Sequence, residues 1–170
     1  MQTSTMDRAP VTAIHLTAIH RRVLALQRAE DPTLIARLPS GWAVFGEQQF
    51  LRGYSLLLPD PVVGHLNDFA VDTAGFSAAR EQFLVDMARL GEALLQATGA
   101  LRINYAMFGN VEPALHAHLI PRYTDETPAL ATAHPWAYDW QAAPRFDAAA
   151  LAPLREDIRR RLQLDQSVGA

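Results

Sequence analysis

The chain has 170 residues, 49% apolar and 19% charged, with a formal net charge of −3, the balance of one globular domain able to bury a core without staples. It contains no cysteine and no lysine, which excludes disulfides, thiolate catalysis, cysteine-bound metals, a P-loop lysine and a pyridoxal Schiff base. Acids and arginines are interspersed, so no nucleic-acid-binding face is expected, while a local arginine site for a small phosphate stays open.

Residues 11–29 predict a helix with Ile14, Leu16, Ile19, Val23 and Leu26 on one side. Asp31-Pro32 reads as an N-cap with proline at the first helical position, opening a short helix that stops near Pro39. Residues 42–45 and 54–58 predict two strands joined by a hairpin connection at 46–49. Ser77 is the expected N-cap of the longest helix, 78–98, with Gly99 at its end. Its apolar stripe runs through Phe83, Met87, Leu90 and Leu94; Asp86, Arg89 and Gln96 mark the wet side, and Gly91 suggests close packing on a sheet. Residues 101–108 and 115–120 predict two more strands, the second ended by Pro121. Residues 123–146 read as an irregular arm laid on the surface, bearing Trp136, Tyr138 and Trp140, and Asp147 as the cap of a last helix to about 164. The expected class is α+β: an antiparallel β-sheet with helices packed on one face. The first forty residues form a helical segment, 41–123 the core, and 124–170 the arm and final helix of a single domain. No apolar run approaches the ~18 residues of a membrane span. The first ten residues lack the apolar region of a secretory signal, so no membrane partner and a cytoplasmic location are expected.

The segment Gly109-Asn110 through Ala114-Leu115-His116-Ala117-His118-Leu119-Ile120-Pro121-Arg122 stands apart. On a strand His116 and His118 share one face, with Cα atoms about 6.6–6.8 Å apart. Three readings are open. The pair could ligate zinc or iron, although no third ligand is suggestively spaced. It could do phosphoryl chemistry, one neutral imidazole attacking phosphorus while a protonated neighbour holds the non-bridging oxygens and Arg122 adds charge. Or both could be polar residues on a wet strand. Asn104 and Asn110 are candidate phosphate contacts, and His134, Trp136 and Trp140 either pack the arm or stack on a base.

These residues resemble the histidine-triad (HIT) superfamily of nucleotide hydrolases and transferases. Its signature alternates histidines with apolar residues, ends in Pro-Arg and follows a Gly-Asn. Residues 50–59, the helix near 77–98 and Ile103-Asn104-Tyr105 fall where the family has corresponding elements, so the resemblance covers about residues 40–123. It implies that His116 attacks the α-phosphorus of a nucleotide to form a nucleotidyl-histidine that water then hydrolyses. It implies that His118 binds the phosphate, and that the other ring nitrogen of His116 donates to the main-chain carbonyl at 114. The implied substrate is a dinucleoside polyphosphate, such as a diadenosine polyphosphate, or a nucleotide phosphoramidate. No cofactor or metal is implied, and the implied assembly is a homodimer. Three positions depart from the pattern. Ala114 replaces the first histidine of the triad. Gly46 stands where the family has a ribose-binding acid or amide, with Glu47 next to it as the candidate for that role. Tyr54 stands where many relatives have another histidine. Ala114 and Gly46 motivate an alternative, a nucleotide-binding module with weak or no catalysis.

Overall fold

The structure is a computed structural model and describes residues 16–168. Helix α1 spans Ala18–Gln27 and is capped by the Thr17 hydroxyl, which accepts from the His20 N–H. The part of the expected helix before residue 16 lies outside the described residues. Where a short helix was expected after Asp31, the chain instead forms strand β1, Leu34–Leu38. The Asp31 carboxylate takes the Thr33 N–H at 2.8 Å and the Arg22 Nε at 3.0 Å, so the local cap closes a turn. Pairing with β2, Gly41–Phe45, then decides the conformation; tertiary pairing overrides a local propensity.

Strand β3 is Ser55–Pro59, β4 is Arg102–Met107 and β5 is Ala117–Arg122. The five strands form one antiparallel sheet in the order β1-β2-β3-β5-β4. Helix α2, Ala78–Thr98, is capped by Ser77 at one end and closed by Gly99 at the other. It passes so close to β4 that a Cβ on Gly91 would stand 2.0 Å from the Tyr105 hydroxyl. Helix α4, Ala148–Val168, begins where the Asp147 carboxylate accepts from the Ala149 and Ala150 N–H groups.

Three expectations change. Helices cover both faces of the sheet. Helices α2 and α4 pack on Phe45, Leu57 and Leu119, while α1 packs on Val44, Leu56, Leu58 and Ile120 of the opposite face. Asp86 is fully buried rather than wet; its carboxylate accepts from the Ser40 N–H at 2.8 Å and from Gln82 at 2.9 Å, with Arg89 at 3.7 Å, so the charge is satisfied inside. Pro121 sits within β5 instead of ending it. The β3–β5 ladder stops at Leu119, so the missing N–H of Pro121 falls where β5 has β4 as its one partner.

The arm between β5 and α4 contains a short helix α3, Pro128–Ala131, and a single 3-10 turn, Pro135–Ala137. It crosses the sheet face that carries the histidines and returns against the β2–β3 connection, where the Gln49 N–H donates to the Pro144 carbonyl and the Phe146 N–H to the Glu47 carbonyl, both at 2.7 Å.

Candidate active site

His118 lies on β5, opposite Leu56 of β3 and Ala106 of β4. His116 comes one residue before the strand, so a turn and not the sheet ladder positions it. The Ala114 N–H donates to the Glu112 carbonyl and the Leu115 N–H to the Val63 carbonyl, each at 2.8 Å. The Nδ1–H of His116 donates to the Ala114 carbonyl at 2.8 Å. A carbonyl only accepts, so this bond places the proton on Nδ1 and leaves the lone pair on Nε2. It is the contact expected of residue 114, and it needs no side chain there. The Ala114 methyl itself is fully buried among the residues packed against α1.

The two imidazoles stand with ring centroids 4.7 Å apart and planes at 66°. Burial, and then the neighbouring His116, push the His118 pKa down to about 4. His118 is therefore neutral at pH 7.

Both histidines open into a cavity of about 760 Å³. Its lining includes the polar Gln48, Asn110 and Glu112 and the rings of Phe108, His134, Trp136 and Trp140. Trp136 stands edge-on to His118 at 5.2 Å and to Phe108 at 4.9 Å, and remains 43% exposed. Trp140 is the packing member, 4.0 Å from the Phe50 ring. Glu112 faces the amino end of α1. Burial alone would raise its carboxyl, but the Thr17 hydroxyl and the Ile19 and Ala18 N–H groups, with His116 beside it, hold it below the usual carboxylate range.

The remaining residues singled out in the sequence are dispersed. Asn110 lines the cavity. Glu47 is exposed, and what fixes it is its carbonyl, which accepts from the Phe146 N–H; its neighbour Gln48 faces the cavity instead. Asn104 and Arg122 line a separate cavity of about 770 Å³, which shares His134 with the first. The Arg122 guanidinium is engaged by Glu126 at 2.7 Å and by the Leu130 and Ala133 carbonyls at 2.7 and 3.2 Å. It anchors the arm rather than facing the histidines. Gln48 and Glu112 were missed as site residues. Gln48 comes from a hairpin connection and Glu112 from a turn, and no local pattern marks either. Among the described residues no three His, Asp or Glu side chains converge as a metal-ligand group, and no helix is long and apolar enough to cross a membrane.

No family model matches the sequence, and no curated protein matches it. Solved structures do. A histidine triad protein from Bradyrhizobium japonicum superposes with a TM-score of 0.60 at 23% identity, over 80% of this chain and 94% of that one. One from Marinobacter aquaeolei VT8 gives 0.63 at 17% identity, over 88% and 98%. A hypothetical histidine triad nucleotide-binding protein from Sulfolobus tokodaii strain7 gives 0.59 at 12%, over 82% and 89%. At these identities the likeness is one of fold: five antiparallel strands in an open sheet, with the helices on it, as in histidine triad proteins.

Proposed function

We propose that the chain binds a nucleotide conjugate and cleaves it at the α-phosphorus through His116. The observation that carries this reading is the Nδ1–H bond of His116 to the Ala114 carbonyl, which presents the Nε2 lone pair to the cavity. In the first step a bond forms between Nε2 and phosphorus as the bond to the leaving group breaks, and the leaving group takes a proton from solvent. In the second, water attacks phosphorus, the phosphorus–Nε2 bond breaks, the water's proton passes to solvent and the nucleoside monophosphate departs. His118 binds the non-bridging oxygens and Asn110 donates toward the leaving group. Trp136 offers an exposed ring for the base. Glu47, Asn104 and Arg122 have no part in this scheme.

Two substrate classes can be ranked. Among the described residues, those lining the cavity carry one carboxylate, Glu112, and no arginine. That charge balance disfavours a polyphosphate chain and favours a conjugate with a single phosphorus, of the phosphoramidate type. Incubation with adenosine 5′-phosphoramidate and with diadenosine polyphosphates, followed by chromatography of adenosine monophosphate, tests both points. The reading expects release from the phosphoramidate by wild type and none above background by His116→Asn; faster cleavage of the polyphosphates would reverse the ranking.

The same charge balance supports a second reading, a nucleotide-binding module without useful catalysis, since no arginine among the described lining residues stabilises a transition state. Micromolar nucleotide binding by calorimetry with no product over hours would decide for it. We also propose a homodimer in a cytoplasmic protein. Strand β4 is an outer strand of the sheet, and Tyr105 and Met107 on it, with Val85 of α2, are exposed. Light scattering after size exclusion would show twice the chain mass.

A further inference from the structure

Two of the departures noted in the sequence meet in space. Gly46 is not among the glycines with positive φ, so its backbone would accept a side chain. What forbids one is Tyr54: a Cβ on Gly46 would lie 2.2 Å from both Cδ1 and Cε1 of that ring. The absent side chain at 46 is the space in which the tyrosine ring sits. Tyr54 is 3% exposed, wedged by Phe50 at 4.9 Å and Trp140 at 5.3 Å. Its ring lies nearly parallel to that of His118, and its hydroxyl is 2.6 Å from His118 Nδ1.

That bond has a direction. Burial pushes the phenol well above its ordinary range, so it keeps its proton. A buried O–H must donate, and among the described residues Nδ1 of His118 is its hydrogen-bond partner. Nδ1 is then the acceptor, and the neutral imidazole carries its proton on Nε2. His116 is the opposite case, because its Nδ1 faces a carbonyl.

We infer that Tyr54 is a positioning residue that holds His118 as the Nε2–H tautomer, with Gly46 as the clearance this requires, so that the paired imidazoles offer the cavity one lone pair and one N–H. The tautomers follow from the hydrogen bonds and from a phenol that keeps its proton. Their consequence for turnover rests on the proposed function: a neutral N–H beside the nucleophile donates to a phosphoryl oxygen, whereas a second lone pair would repel it.

The test uses the full chain with 15N-labelled histidine. Long-range proton–nitrogen spectra between pH 5.5 and 8 read the tautomers directly, assigned with His116→Gln and His118→Gln. The expected wild-type result is a protonated Nδ1 on His116 and a protonated Nε2 on His118. In Tyr54→Phe the His118 signals should move to a tautomer mixture while those of His116 hold. A wild-type His118 protonated on Nδ1, or a Tyr54→Phe spectrum unchanged at His118, would overturn the assignment. Where wild type turns over, Tyr54→Phe should lower kcat by about tenfold with KM little changed, the size expected when one orienting hydrogen bond is lost. An unchanged kcat removes the positioning role and leaves the hydrolase reading standing. No turnover by wild type removes the hydrolase reading, and the spectra still decide the tautomer. Gly46→Ala should lower Tm with Tyr54 present and much less in a Tyr54→Ala background; equal penalties in both backgrounds would contradict the coupling.

Discussion

On one face of the sheet α2 and α4, each of 21 residues, lie over Phe45, Leu57 and Leu119. Phe83, Leu90, Leu94 and Ile158 are fully buried there. The other face is closed in pieces, by the 10-residue α1, a four-residue helix and a three-residue turn. Continuous helices satisfy their own backbone groups and fill the space with aliphatic side chains. The pieced cover instead leaves polar groups that need side-chain partners and gaps that rings fill. Arg122 and Glu126 bind the arm to β5, and the arm's aromatic residues leave the cavity over His116 and His118. The proposed chemistry therefore belongs to one face, and substitutions should separate it from the packing of the other.

The largest effect is expected on the pieced face without loss of folding. His116→Asn should reduce adenosine monophosphate release by at least ~10³, with Tm near that of wild type. A parallel fall in Tm would mean that the histidine is structural. On the continuous face Leu90→Ala should cost about 3 kcal/mol in urea denaturation, while the KM of the folded fraction stays at the wild-type value. A changed KM would show that the two faces are not independent.

Much of the continuous face could be read from the sequence, because its signals are local. The 3.6-residue stripe through Phe83, Leu90 and Leu94 and the cap at Ser77 lie within one element. The histidine pair and the carbonyl at 114 also sit within a few residues of each other. The rest depends on distant partners. Asp31-Pro32 carries a helix-start signal, yet β1 forms because β2 pairs with it. Asp86 falls on the polar side of the helical pattern, but the β1–β2 turn closes over it and Ser40 donates to it. Arg122 follows the histidines in sequence, and the arm that takes its charge arrives from later in the chain. Gly46 and Tyr54 are eight residues apart in sequence, and only their contact in the fold joins them.

Smaller effects sharpen the same contrast. Trp136→Ala should weaken nucleotide binding about tenfold, the order of one lost base stack. Its stability cost should be slight, since the ring is 43% exposed; unchanged affinity would move the base elsewhere. The last is a pH effect. The His118 pKa is about 4 in the folded chain against 6.5 ordinarily. The unfolded chain thus binds more protons between these values, and stability should fall as pH drops from 6.5 to 4. His118→Gln should flatten that part of the profile; an unchanged slope would assign it to other groups.

The most direct test of the central claim is the covalent intermediate. The protein would be mixed with adenosine 5′-phosphoramidate, quenched within the first turnover and digested, and its peptides weighed. The account predicts the mass of one adenylyl group on the peptide containing His116 and its absence from His116→Asn. An adduct mapped to His118, or adenosine monophosphate release undiminished in His116→Asn, would contradict it.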